Sequence, residues 1–246
     1  MTFNPKTVEA AVFDIGGVFT YPDYQPVVAE LNAIGVAQPD DIIAFRRAHH
    51  AGVRALTDAA VPTREDQPDF WSIYDVAYAA TLSVPLEHLD RFRIAVRVGW
   101  SWVHEENVAT FHRLAATGLP LAIVSNNNGT APEQMTEYGV CQVGSGPLPS
   151  VAAIVDSTLE AVSKPDPAIF TPAIDALGIA AENIVYIGDT VHADIRGAAN
   201  AGMQAVQLDP FDHHTDFTHT RMRDFCLLYS SPSPRDSCAS RMPSSA

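Results

Sequence analysis

The sequence predicts a doubly wound α/β domain, a parallel sheet with helices on both faces, carrying an inserted helical module. Three observations predict it. Short apolar runs recur at Ala10–Phe13, Leu121–Val124, Ile184–Ile187 and Ala205–Leu208, with a weaker one at Ala152–Val155. Runs of this length without polar alternation suit strands buried on both faces. Helical patterns separate them, and such alternation marks a parallel sheet. From Asp23 to Ser101 the alternation stops and only helical patterns remain.

Each element has a local reason. Ala10–Phe13 opens the sheet and ends at Asp14. The insertion reads as helices over Gln25–Ile34, Asp40–Leu56, Gln67–Thr81 and Leu86–Val98, with Pro62, Pro68 and Pro85 near the joints. Proline lacks the N–H that a helix interior needs, so it sits at such breaks. A module this long, placed just after the first strand, predicts a lid over that strand's carboxyl end. Next, Val108, Phe111, Leu114 and Ala115 share one helix face, which Gly118 closes and Pro120 follows. Asp166 and Pro167 make an N-cap and first-position pair for a helix burying Ile169, Phe170, Ala173 and Leu177. The expected boundaries are 1–22 and 102–225 for the α/β core, 23–101 for the helical cap and 226–246 for a tail. No internal repeat is visible.

The chain has 246 residues, 47% of them hydrophobic, enough for one full core and a smaller module. Its net charge of −14 repels nucleic acid and anionic membrane, so neither is an expected partner. An anionic substrate is repelled too, and its site must bring local positive charge. No apolar run approaches the roughly 18 residues of a membrane span, and the N-terminus lacks a signal-peptide core. A cytoplasmic protein is expected.

The tail "CLLYSSPSPRDSCASRMPSSA" has no helical or strand period and is crowded with Ser and Pro, which reads as disorder. Its residue order also resembles a translated sequencing-library adapter, over 226–236 with Ser230 as the exception and again over 240–246. It is therefore expected to be non-native, with the natural chain continuing differently beyond Phe225. Cys226 and Cys238 go with it. Cys141 alone remains, so no disulfide framework is expected, as in a reducing compartment.

In open α/β sheets ligands bind at the carboxyl ends of strands. Asp14 follows the first strand in "FDIGGV", and Ser125 begins "SNNNG" after Leu121–Val124. "GDTVHAD", Gly188 to Asp194, follows Ile184–Ile187, and Lys164 in "SKPDPAIF" starts a helix on the same edge. A carboxylate in Asp14's position can attack phosphorus and form an acyl-phosphate. It cannot approach a phosphate dianion until charge is neutralised, which Mg²⁺ held by oxygen ligands achieves. Asp14 and Asp189 suit that ion, with Asp194 as a further ligand or as support behind them. Ser125 offers a hydroxyl and an N–H to phosphate oxygens, Asn126 adds contacts, and Lys164 supplies a fixed positive charge.

The order "FDIGGV", "IVSNNNG", "SKPDPAIF", "VYIGDTVHAD" resembles the haloacid dehalogenase superfamily of hydrolases, over residues 8 to about 210. The resemblance implies a Rossmann-like core with a helical cap between its first two motifs. It implies Asp14 as nucleophile, Ser125 and Lys164 as phosphate binders, and Mg²⁺ on Asp14, Asp189 and the Gly16 carbonyl. The implied activity is a Mg²⁺-dependent phosphatase of small phosphorylated metabolites. Gly16 is the departure: most phosphatases of this family carry there the Asp that protonates the leaving group and then activates water. Such a group contributes about 10²–10⁴-fold. Three outcomes stay open. A cap residue (His49, His50 or Tyr24) relays the proton, or the leaving group needs little protonation, or the protein turns over slowly and mainly binds phosphate. Asp189 and Asp194 argue against a metal-free dehalogenase, while another hydrolysis on this scaffold remains an alternative.

Three further features have plainer expectations. "FRRAHHAGVR", residues 45–54, reads as an exposed basic helix face rather than a set of cations aimed at substrate. "DHHTDFTH", residues 212–219, reads as a solvated loop, its spacing too irregular for a metal site. Trp71, Trp100 and Trp102 read as packing between cap helices rather than as a substrate platform.

Overall fold

The computed structural model describes residues 3–59 and 68–224. Pro62 and the 226–246 tail, including Cys226 and Cys238, lie outside the described residues. A six-stranded sheet runs in the order Thr220–Met222, Gln204–Leu208, Ile184–Gly188, Ala10–Phe13, Leu121–Ser125, Ile154–Asp156. Every neighbouring pair is parallel. Successive side chains of a strand point to opposite faces. Ala11 and Phe13 accordingly join Leu121, Ile123, Val185 and Ile187 in the core on one face. Ala10 and Val12 join Ala122, Val124, Ile184 and Tyr186 on the other. Both faces are buried, which is why these strands read as unbroken apolar runs.

From the central Ala10–Phe13 strand the chain builds outward on one side through Leu121–Ser125 and on the other through Ile184–Gly188. The carboxyl end of Ala10–Phe13 is therefore the point where strand order reverses, the usual place for a crevice.

Two strands differ from expectation. The Ala152–Val155 run is a strand only from Ile154, where Ile154–Asp156 joins the main sheet, and the preceding Ser150–Val151 pairs with Gln142–Val143 in a separate ribbon. Thr220–Met222 is an edge strand that hydropathy does not reveal, since Met222 is its one buried residue and Arg221 is ion-paired with the buried Asp209.

The inserted helices are Tyr24–Ala33, Ile43–Asp58, Pro68–Thr81 and Leu89–Val96, the last preceded by a 3₁₀ turn at Leu86–His88. Asp23 caps the first by accepting from Gln25 N–H. The second starts later than expected because Asp41 Oδ1 accepts from Ile43 N–H and holds Asp41 outside the helix. Together they enclose a core of their own, including Val27, Leu31, Phe45, Tyr74, Tyr78 and Phe92. Gly52 lets two of them meet: a Cβ there would fall 2.5 Å from the Tyr74 ring. The chain leaves the sheet domain through Thr20–Tyr21 and returns through Trp102–Val103, which pair antiparallel. His104 then caps Glu105–Ala115, its Nδ1 accepting from Asn107 N–H at 3.2 Å. Asp166 caps its helix as expected, although the first turn is 3₁₀ (Pro167–Phe170) before Thr171–Leu177 becomes α-helical. No helix among the described residues is long and apolar enough to cross a membrane.

Candidate active site

Asp14 stands one residue beyond the central strand, and its N–H continues the ladder to Ile187 O at 2.9 Å. The chain then turns sharply, with Ile15 O accepting from Phe19 and Thr20 N–H. Gly17 makes that turn possible, with φ at +66°. A Cβ there would fall 2.1 Å from Asp189 Oδ2 and 2.7 Å from His49 Nε2. Glycine alone is unstrained in this conformation, and it alone leaves the space those two groups use.

Lys164 is buried, with Nζ 2.7 Å from Asp14 Oδ1 and 2.6 Å from Asp194 Oδ1. The Asn126 amide fixes its backbone, accepting from Lys164 N–H at 2.8 Å and donating to Lys164 O at 3.2 Å. Tyr186 OH accepts from Nζ at 3.1 Å. Asp194 lies in a single π-helical turn, Val191–Arg196, and Oδ2 accepts from the Thr190 hydroxyl at 2.7 Å and the Thr190 N–H at 2.9 Å. The turn packs onto Gly188, where a Cβ would sit 2.3 Å from Asp194 Cγ.

Asp189 follows that strand, and its carbonyl accepts from Gln207 Nε2 at 2.8 Å. Asp189 Oδ2 meets His49 Nε2 from the helical module at 2.8 Å, and His49 Nδ1 meets Tyr74 OH at 2.8 Å. A carboxylate oxygen accepts, so Nε2 donates to Asp189, while Nδ1 shares a hydrogen bond with the tyrosine hydroxyl. Both ring nitrogens are engaged.

Two buried carboxylates, Asp14 and Asp194, thus pair with one buried ammonium, and Asp189 lies beside them. Burial pushes the Asp14 carboxyl up, Lys164 pulls it down, and Asp194 and Asp189 push it up again, leaving it at about 7. Burial also opposes the Lys164 charge, but Asp14 and Asp194 outweigh it and hold the ammonium above the usual lysine range. For Asp194, burial is overcome by Lys164 and by the Thr190 hydrogen bonds, which keep this carboxyl below its ordinary value.

These groups line a cavity of about 730 Å³ between sheet edge and helical module. Ser125, Asn126, Lys164 and Asp189 form its floor, and Val53, Leu56, Phe70, Trp71, Tyr74 and Trp100 belong to its module side. Ser125 is buried, and its hydroxyl makes only a 3.5 Å contact to Asn126 O. Gly16 also lines the cavity, covered by the Trp100 indole: a Cβ on Gly16 would lie 3.1 Å from Trp100 Cζ3.

The structure therefore brings together Asp14, Gly16, Ser125, Asn126, Lys164, Asp189 and Asp194. Of the relay candidates, His49 reaches the site. His50 lies behind it against Tyr21 and Phe211, and Tyr24 packs on Phe45 and Trp102. Arg46 and Arg47 stack on Phe211, while Arg54 binds Asp58 and Asp216. Residues 212–219 are less solvated than expected, since Asp209 accepts the His213 and His214 N–H groups and His214 is buried. Trp102 packs on Tyr21 and Tyr24, whereas Trp71 and Trp100 stand on the cavity wall, contrary to the expectation of packing alone. Sequence reasoning missed Tyr186, Thr190, Tyr74 and Asp156. Asp156 accepts from Gly129, Ala131 and Thr158 N–H and so shapes the Ser125–Gly129 loop. Thr190 had a signal, four residues before Asp194 in the same motif; Tyr186 and Tyr74 lay inside apolar patterns and had none.

The model of the haloacid dehalogenase-like hydrolases matches residues 8–202. The chain is 35% identical over 92 residues to phosphoserine phosphatase of Thermus thermophilus, covering 37% of this chain and 34% of the relative. It is 49% identical over 47 residues to glyceraldehyde 3-phosphate phosphatase of Methanopyrus kandleri, covering 19% and 20%. The alignments thus span about a third and a fifth of these relatives' lengths. Among solved structures it resembles a HAD phosphatase of Thermococcus onnurineus, at TM-score 0.52 and 20% identity over 88% of this chain and 94% of that one. It also resembles the HAD-hydrolase YfnB of Bacillus subtilis, at TM-score 0.55 and 18% identity over 90% and 97%. These two likenesses are of fold.

Proposed function

The chain belongs to the haloacid dehalogenase-like hydrolase family, and from that membership we propose that it hydrolyses small phosphate monoesters through an aspartyl-phosphate on Asp14. The observation that carries this reading is Asp14 itself, a buried carboxylate at the strand switch point, 2.7 Å from the Lys164 ammonium and facing a cavity floored by Ser125. The partly matching phosphatases support it.

A divalent cation fits this site. Ligand oxygens of the buried Asp14, Asp189 and Asp194 lie within 4.8 Å of one another. All-oxygen donors of this kind suit Mg²⁺. Asp14, Asp189 and the Gly16 carbonyl would hold the ion. Bound there, it would offset the carboxylate charge and polarise a phosphoryl oxygen. Asp194 is already occupied by Lys164, Tyr186 and Thr190, so its role is to hold Lys164 in place.

In the reaction the Asp14 carboxylate oxygen bonds to phosphorus while the ester P–O bond breaks, its electron pair leaving on the departing oxygen. Lys164 and the Ser125 hydroxyl bind the phosphoryl oxygens. Water then attacks phosphorus, breaks the Asp14–phosphorus bond, restores the carboxylate and passes its proton to phosphate or solvent. The helical module, residues 23–101, is the cap that limits entry to small substrates, and residues 1–22 with 102–225 form the core. The test is phosphate release from phenyl phosphate with Mg²⁺. Asp14→Asn and removal of the cation by a chelator are each expected to reduce release to background. Undiminished release by Asp14→Asn overturns the reading.

A further inference from the structure

Resting on the phosphatase reading, we infer that the substrates are phosphate esters of phenols, whose leaving groups depart without a proton donor. The first ground is that the groups around Asp14 best placed to give a proton to the leaving group are missing or already engaged. Position 16 has no side chain, and the Trp100 indole lies against its α-carbon, 3.1 Å from where a Cβ would project. Asp194 is consumed by Lys164, Tyr186 and Thr190. Both His49 nitrogens are engaged, by Asp189 and by Tyr74. Lys164 is ion-paired twice.

An alkoxide is too basic to leave without protonation at a useful rate, and a positioned acid normally supplies about 10²–10⁴-fold. A phenolate leaves as a stable anion and takes its proton from solvent afterwards. The atoms therefore balance without a proton donor: the P–O(aryl) bond breaks, its electron pair stays on the phenolate, and phosphorus passes to Asp14.

The second ground is the wall opposite the phosphate end. Phe70, Trp71, Tyr74 and Trp100 face the cavity alongside Val53 and Leu56. Of the two lysine and arginine side chains lining it, Lys164 belongs to the floor, and Arg97 is bound to Asp75 and stacked on Trp71. The wall offers aromatic faces and no unpaired cation, which matches a neutral aromatic ring and not a second anion.

The test compares phenyl phosphate with benzyl phosphate, which carries the same ring on an alkyl oxygen, and adds a series of ring-substituted phenyl phosphates. We expect kcat/KM for phenyl phosphate to exceed that for benzyl phosphate by at least about 100-fold. It should fall steeply along the series as the phenol becomes less acidic. Binding gives an independent readout: by calorimetry phenylphosphonate should bind more tightly than methylphosphonate, and Trp100→Ala should erase that preference. A Gly16→Asp/Trp100→Ala double variant has room for a carboxyl and should gain benzyl phosphate hydrolysis over Trp100→Ala alone. Equal rates on both esters with a flat series would overturn the inference and leave the phosphatase reading standing. Loss of benzyl phosphate turnover alone in His49→Gln would do the same and name His49 as the donor. No phosphate release from any ester would overturn both.

Discussion

Asp14 and Lys164 are a buried pair whose charges depend on a third residue. Asp194 shares Nζ with Asp14 and lies at 0% exposure. Removing one partner of a buried ion pair leaves an uncompensated charge, at a cost of about 3–5 kcal/mol. Asp194→Ala is therefore expected to lower stability by about 3 kcal/mol, read from denaturant midpoints, and to depress turnover with it. A loss below about 1 kcal/mol would show that Lys164 does not rely on Asp194. At this scale the motifs made Asp14, Ser125, Lys164, Asp189 and Asp194 legible, because four of them stand at or within a few residues of a strand's carboxyl end and Lys164 stands just before a helix. The Trp100–Gly16 contact was not. It joins residues 84 positions apart across the whole insertion, and no local pattern encodes it.

The helices carry the next level of specification. Ile43–Asp58 delivers His49 to Asp189, and Pro68–Thr81 delivers Tyr74 to His49. Their spacing rests on Gly52, whose missing Cβ admits the Tyr74 ring. Gly52→Ala forces that ring aside, and overpacking of this kind costs about 1–3 kcal/mol. The expected result is a lower thermal midpoint together with a changed KM, because Tyr74 and His49 shift with the helices. A midpoint unchanged or raised, as an added helical alanine would give on propensity alone, would show that the two helices adjust freely. The strands were legible because a sheet buried on both faces leaves unbroken apolar runs. Thr220–Met222 was not, because an edge strand with one buried residue writes no such run.

Across the whole molecule, burial is the leading cause that lowers the pKa of His50, His104, His192, His213 and His219. Each then binds fewer protons folded than unfolded, so its contribution to stability is present above the unfolded value near 6.5 and is lost as pH falls below it. His104 falls to about 4, and its Nδ1 must stay unprotonated to accept from Asn107 N–H. Its share of the loss is on the order of 2 kcal/mol between pH 7 and pH 4, after discounting for partial exposure. Asp14, raised to about 7, acts in the opposite sense over part of that range. The clean readout is thus a difference: His104→Asn keeps a capping side chain and should lose less stability on acidification than the parent. An equal loss in both proteins would remove His104 from the account.

The central claim is that Asp14 carries the phosphoryl group, and acid quenching during a single turnover with phenyl phosphate and Mg²⁺ tests it most directly. The peptide containing Asp14 should gain the mass of one phosphoryl group on Asp14, transiently, and Asp14→Asn should gain none. Phosphate release at the same rate with no mass gain on Asp14 would contradict it.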